Sequence, residues 1–184
     1  MTDQELIEQL RNKSEPAFKW LVESYQQVVF NTILNIVQDI HEAEDAAQEV
    51  FMKIYLSIDG FRGESGLSTW IYRLSINKAL DKIRRRKSRE RIQQIIPWWM
   101  PAERKDNQAM FYHPGVDLEN KEKAATVFKA INSLPENQKI AFTLIKIQGL
   151  KYEEVCRIMD KNIKAVESLV SRAKQNLQDI LKNR

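Results

Sequence analysis

A single cysteine, Cys156, stands in the 184 residues. A disulfide framework within the chain is therefore excluded, and nothing in the thiol count points to an oxidising compartment. Histidine is nearly as scarce: His41 and His113 are the only two, and no Cys/His cluster has zinc-ligand spacing. No uninterrupted apolar run approaches the length of a membrane-spanning helix. The N-terminal MTDQELIEQL is acidic and amphipathic rather than a signal peptide, so a cytoplasmic, soluble chain is expected. Strand-like alternation of useful length is missing, as is any fixed-period repeat. There is no P-loop, nucleophile elbow, H-E-x-x-H or dinucleotide fingerprint. The expectation is a chain that is not an enzyme and holds neither cofactor nor metal.

What is present is helical periodicity and one concentrated charge. The formal net charge is only +4, yet residues 84–91 contain six basic residues and one glutamate, so the rest of the chain sums to about −1. A local basic patch points to one polyanion-binding face rather than a generally adhesive surface. The block ends a longer stretch, FRGESGLSTWIYRLSINKALDKIRRRKSRER (61–91). Gly60, Gly63 and Gly66 make its opening loop, and Ser68 is expected to cap the helix that follows. Tyr72, Ile76, Ala79, Leu80 and Ile83 share one face, which should be buried. Trp70, Arg73, Asn77 and Arg84 fall on a neighbouring face. An aromatic ring, an amide and guanidiniums together suit bases that are stacked on, hydrogen-bonded and held by their phosphates. Taken singly, a tryptophan is more often core and a charge run more often a solvated face.

The N-terminal third reads as amphipathic helices. One covers about residues 3–11. A second segment begins at Ser14 and Pro16 and continues to Val37, as one bent helix or two. Asp39 and Glu42 resemble a capping box before a third helix, EAEDAAQEVFMKIYLSI. Its inner stripe is Ala43, Ala47, Val50, Ile54 and Ile58; Glu44, Asp45, Gln48, Glu49 and Lys53 lie outside it. That outer face is either simply solvated or a docking surface for a basic partner.

Residues 92–118 carry three of the five prolines together with Trp98, Trp99, Met100, Phe111 and Tyr112. They read as an interdomain linker that docks on something. Helices resume at about residue 119, pause at Ser133 and Pro135, and stop at Gly149, where a left-handed residue is needed. A short helix (152–159), a three-residue turn and a last helix (163–181) capped by Asn162 make a helix-turn-helix pattern. The pattern alone is common among helical hairpins.

Taken together, AEDAAQEVFMKIY (43–55), the 61–87 stretch and residues 134–177 resemble the extracytoplasmic-function (group 4) sigma factors of bacterial RNA polymerase, in the sigma-70 family. The resemblance implies an all-α fold of two small helical domains: a sigma-2-like bundle over 1–91 and a sigma-4-like helix-turn-helix domain over 119–184, joined by the linker. It implies an alternative sigma factor that binds core polymerase through the β′ clamp helices and the β flap, reads promoter DNA, and is held by an anti-sigma factor. By that resemblance Asp45, Gln48, Glu49, Phe51 and Lys53 would bind core polymerase. Ser68, Thr69, Trp70, Arg73, Asn77, Lys78, Arg84 and Arg85, with Lys82, would recognise and melt the −10 element, the 63–68 loop forming a pocket for a flipped base. Lys164, Ser168, Ser171, Arg172 and Lys174 would contact the −35 element. Glu167 and Leu169 replace a basic pair of many relatives, and Glu167 cannot donate to guanine. Two other classes of function compete: a stand-alone helix-turn-helix regulator and a helical adaptor without nucleic acid.

Overall fold

The computed structural model describes residues 2–63, 65–95 and 121–182. All the regular elements among them are helical. Helix α1 (Asp3–Arg11) opens on Thr2, whose hydroxyl accepts the Glu5 N–H while the Glu5 carboxylate accepts the Thr2 N–H. This reciprocal capping box satisfies two amides that would otherwise lack partners. Helix α2 (Glu15–Val37) is one uninterrupted helix, not two. Ser14 caps it by accepting the Ala17 N–H at 3.5 Å. Helix α3 (Ile40–Ser57) is capped by Asp39, which accepts the Glu42 N–H at 2.8 Å. The second half of the expected box does not form. The Glu42 carboxylate turns instead to Arg86, 3.4 Å away.

A short 3-10 turn (Ile58–Gly60) leads through the glycine loop into α4 (Leu67–Ile95). Ser68 is not its cap. The helix starts at Leu67, two residues before a Ser68 cap would place it, with the Gly66 carbonyl accepting the Trp70 N–H at 3.2 Å. Leu67, only 1% exposed, anchors the first turn in the core, so the helix begins where the apolar side chain must be. Ile76, Ala79, Leu80 and Ile83 bury the inner face as expected, with Tyr72 only partly buried and Ile71, outside the expected stripe, fully buried beside it. Helices α2, α3 and α4 pack on one another as the N-terminal bundle. Fully burying each of Ile33, Ile54 and Ile71 contributes about 1.5–3 kcal/mol.

Helix α4 runs past the expected domain boundary at 91. The aromatic linker predicted over 92–118, from Pro97 onward, lies outside the described residues. Helix α5 (Lys121–Asn132) and α6 (Glu136–Phe142) follow, the latter continued by a π-helical segment (Thr143–Ile147). Gly149 has φ +72°, the left-handed conformation the sequence called for. Helix α7 (Tyr152–Met159) starts at Lys151, which has no acceptor to offer. Its own N–H is taken by the Glu154 carboxylate at 2.8 Å, so this start is capped from one side only. Asn162 caps α8 (Ile163–Lys182), accepting the Ala165 N–H at 2.9 Å. Ala173 and Leu177 of α8 pack with Ala130, Ile131 and Leu134.

The two helical groups touch. Gln148 Nε2 donates to Thr32 Oγ1 at 2.9 Å, and Gln38 Nε2 donates to the Phe128 carbonyl at 2.7 Å. Apolar residues from both groups belong to one continuous core cluster.

Candidate nucleic-acid interface

Helix α4 and the loop before it wall a cleft of ≈420 Å³. Phe61, Gly63, Ser65, Trp70 and Arg73 line it, and so does Asp160, from the turn between α7 and α8. Trp70 is partly buried rather than sealed into the bundle. It stacks on Phe61 with ring centroids 4.9 Å apart and planes tilted by 34°. The ring is thus held in place while still facing the cleft, as a base-stacking platform must be. Gly63, at φ +73°, adopts a backbone that other residues rarely enter. That lets the loop turn sharply over the cleft.

The predicted contact residues divide. Asn77, Arg84 and Arg85 are exposed on α4. Thr69, which the resemblance also assigns to the −10 element, is only 7% exposed and points its side chain into the protein. Ser68 is exposed but is the second residue of the helix. Arg73 is already engaged: its Nη2 donates to the Arg157 carbonyl at 2.6 Å and its Nε to the Ile158 carbonyl at 3.3 Å. Both oxygens belong to the last turn of α7, the negative end of that helix dipole. Arg84 lies 3.6 Å from Asp81 and 3.7 Å from Glu136.

The expected polymerase-docking residues divide as well. Asp45, Gln48 and Lys53 are exposed on α3. Phe51 is only 9% exposed but walls an open groove of ≈340 Å³ between α2 and α3, with Val22, Gln26, Phe30 and Ala47. Glu49 does something else. Its two carboxylate oxygens hold Lys78 at 2.9 Å and Lys82 at 3.0 Å, riveting α3 to α4. Hydrogen bonds from Lys78, then Lys82, hold its carboxyl below the usual range. One residue was expected to face the polymerase and the other two the DNA. Instead they satisfy each other, and spacing within one helix cannot reveal a pairing between two.

The third set stays together. Lys164, Ser171, Arg172 and Lys174 are exposed on α8, and Ser168 is partly so. Val166 and Val170 point the other way, into the core. A helix with this division can lay one polar face in a major groove while its apolar stripe holds it to α6 and α7. Sequence reasoning passed over Lys139, a lysine of α6 that is only 6% exposed. Burial, and then Arg86 and Lys87 nearby, lower its pKa to about 8. Nothing local marks it, because its position in α6 is that of an ordinary lysine. Among the described residues no group of histidine, cysteine and carboxylates could hold a metal. None of their helices is long and apolar enough to cross a membrane.

Comparison with known proteins matches both helical groups of the chain to one family. The family model Sigma-70 region 2 matches residues 21–89, and Sigma-70, region 4 matches residues 125–177. The chain is 33% identical over 189 residues to the RNA polymerase sigma-H factor of Pseudomonas aeruginosa, covering 97% of this chain and 93% of that protein. It is 31% identical over 182 residues to the ECF RNA polymerase sigma-E factor of Escherichia coli, covering 97% and 94%. Among solved structures it is similar to CnrH in complex with the cytosolic domain of CnrY. That match has a TM-score of 0.69 and 18% identity over 98% of this chain and 97% of that one. It is also similar to the sigma factor RpoE in complex with the anti-sigma factor NepR from Bartonella quintana, with a TM-score of 0.67 and 24% identity over 90% and 96%.

Proposed function

The chain belongs to the sigma-70 family of RNA polymerase sigma factors, on its extracytoplasmic-function branch, and from that membership we propose how its surfaces share the work. It is an alternative sigma factor, a DNA-binding initiation factor rather than an enzyme, and it directs core polymerase to particular promoters. The α2–α3 groove, with Phe51 in its wall and Asp45, Gln48 and Lys53 around it, receives the β′ clamp helices. The cleft under Trp70 takes an unpaired −10 nucleotide. Asn77, Arg84 and Arg85 track the strand beyond it, and Arg73 joins them once released from α7. The exposed face of α8 reads the −35 duplex, with Arg172 as the principal base contact. The C-terminal domain (from about 119) also meets the β flap, and residues 92–118 link it to the N-terminal domain (1–91). An anti-sigma factor holds the protein inactive; the similar RpoE forms a complex with one, NepR. Transcription initiation places the protein in the cytoplasm.

The observation that carries this reading is the aromatic platform of Trp70 on Phe61, aimed into an open cleft at the head of a basic helix. Burying Trp70 completely would have left a structural helix with a charged tail. Unstacking a base costs a few kcal/mol, and stacking on an aromatic side chain returns about 1–3 kcal/mol. Abortive transcription with core polymerase on melted and fully paired promoter templates tests the assignment. Trp70→Ala should lose most activity on the paired template and much less on the pre-melted one. An equal loss on both would remove the strand-capturing role. A regulator acting without polymerase would give no promoter-specific transcript at all.

A further inference from the structure

The floor of the −10 cleft is held from 50 residues away, by the end of α1. Arg11, in the last turn of that helix, donates from Nη2 to the Phe61 carbonyl at 2.7 Å. Phe61 is the ring on which Trp70 stacks. We propose, on the assignment of that cleft given above, that Arg11 is a positioning residue for the captured −10 nucleotide, and that Lys13 fixes the helix end from which Arg11 acts. Neither side chain lines the cleft. Both act through the short turn that delivers Phe61.

Phe61 closes the 3-10 turn and stands between Gly60 and Gly63. A Cβ on either glycine would meet nothing within 4 Å, so no neighbour packs against the chain there. Glycine adds no stiffness of its own. Burial holds the Phe61 ring, which is 6% exposed, but burial alone does not fix how the backbone leaves it. The Phe61 carbonyl and the Arg62 N–H share one peptide plane. A charge-assisted hydrogen bond on that carbonyl fixes the plane. It therefore sets the direction in which the loop departs toward Gly63 and the wall of the cleft.

Lys13 shows that the end of α1 is built for this. The Lys13 N–H meets the Leu10 carbonyl and the Ser14 N–H meets the Gln9 carbonyl, both at 3.0 Å, closing the helix as a Schellman motif. Its left-handed position, at φ +56°, is held by lysine, although glycine suits it best. A Cβ makes that conformation unfavourable, and such outliers persist where the surroundings enforce them. Here the side chain supplies the reason. Lys13 Nζ donates to the Tyr55 carbonyl at 2.8 Å, lies 3.6 Å from Asp59 and sits 4.9 Å from the centre of the Tyr55 ring. The last turn of α3 has no basic residue of its own, and Lys13 brings a cation to its negative end. The end of α1 thus grips the chain on both sides of the 3-10 turn, at Tyr55 and Asp59 and again at Phe61. Leu6 and Leu10 already bury α1 against the bundle. The polar grips add orientation to an attachment that apolar packing provides.

The test uses the full chain with core polymerase. Its templates carry a promoter selected with the parent protein from a random-sequence library, either fully paired or pre-melted over the −10 element. Arg11→Met keeps the aliphatic stem and loses the donor. Abortive transcription on the paired template should fall about five- to tenfold, with much less loss on the pre-melted one. Core-polymerase affinity should stay at the parental value. Arg11→Lys, which restores a donor, should recover most of the loss. Lys13→Gly removes the side chain while suiting the left-handed backbone, so it folds, and it should shift the two templates in the same sense. Trp70→Ala is run beside them. If it shows its own split between templates while Arg11→Met matches the parent, positioning is overturned and the cleft assignment stands. An equal loss on both templates by Arg11→Met, or no recovery with Arg11→Lys, makes Arg11 a prop of the fold and overturns positioning too. Lys13→Gly at the parental value overturns the role of Lys13. If Trp70→Ala loses equally on both templates, the cleft assignment falls and positioning falls with it.

Discussion

Lys139→Met should make this protein more stable at neutral pH, although it deletes a hydrogen bond. Lys139 is buried, with its Nζ donating to Asn132 Oδ1 at 2.6 Å. Its pKa falls from 10.5 to about 8, mainly through burial and then through Arg86 and Lys87. Below pH 8 the folded and unfolded chains both carry the proton, and the folded chain bears the full cost of a buried charge. A gap of this size corresponds to about 3 kcal/mol. Methionine has a similar reach and no charge, and Asn132 is exposed, so water replaces the lost bond. Allowing about 1–2 kcal/mol for that bond, the net gain at pH 7 is about 1–2 kcal/mol. The sign with pH follows. Between 8 and 10.5 the folded chain sheds the proton while the unfolded chain keeps it. The unfolded state then binds more protons, and stability rises with pH. Tyr25 and Tyr72, whose pKa values burial raises, act in the opposite direction only above about pH 10. Urea denaturation at a series of pH values from 7 to about 9.5 is the assay. The parent should gain stability across the upper half of that range, and Lys139→Met should start higher and stay flat. A parent curve that is flat, or a methionine variant less stable at pH 7, would refute the reasoning.

Three further outcomes are expected. Glu49→Ala should cost about 1 kcal/mol, because it frees Lys78 and Lys82 from a carboxylate that is itself 38% exposed. The loss should be measurable by thermal melts, should vanish as pH falls through the lowered Glu49 pKa, and should leave core-polymerase affinity nearly unchanged. Asp45→Arg with Gln48→Arg, both exposed on α3 beside the Phe51 groove, should instead abolish core binding in a pull-down while leaving the melt within about 0.5 kcal/mol. Arg172→Ala should weaken binding to a −35 duplex by about 1–3 kcal/mol if it pairs bidentately with a base, with a visible loss of discrimination at one position in a binding-site selection.

Much of the candidate site was legible along the chain, as the α8 face illustrates. A stripe of Val166, Val170, Ala173 and Leu177 fixes which side is buried, and so which side Lys164, Ser171 and Arg172 must offer to solvent. The acidic face of α3 was legible in outline only. Periodicity separated Glu49 from the core but could not say that two lysines on another helix would claim it. Thr69 is a different case, because helical spacing alone already separates it from Trp70. It lies beside Trp70 in sequence, yet neighbours in a helix differ by about 100° in direction, so one meets the cleft and the other the core.

Most helix ends were written locally: Ser14, Asp39 and Asn162 cap because each side chain reaches an amide three residues on, and Gly149 takes the left-handed turn, whereas the start of α4 was set by the burial of Leu67. The capping distances are set within one turn of chain, so sequence suffices. Which charges meet was decided only when the helices packed. Glu49 with Lys78 and Lys82, Arg73 with the end of α7, and the burial of Lys139 all join residues or surfaces that the chain holds far apart. Such pairings depend on how whole helix faces cross, which no local spacing encodes.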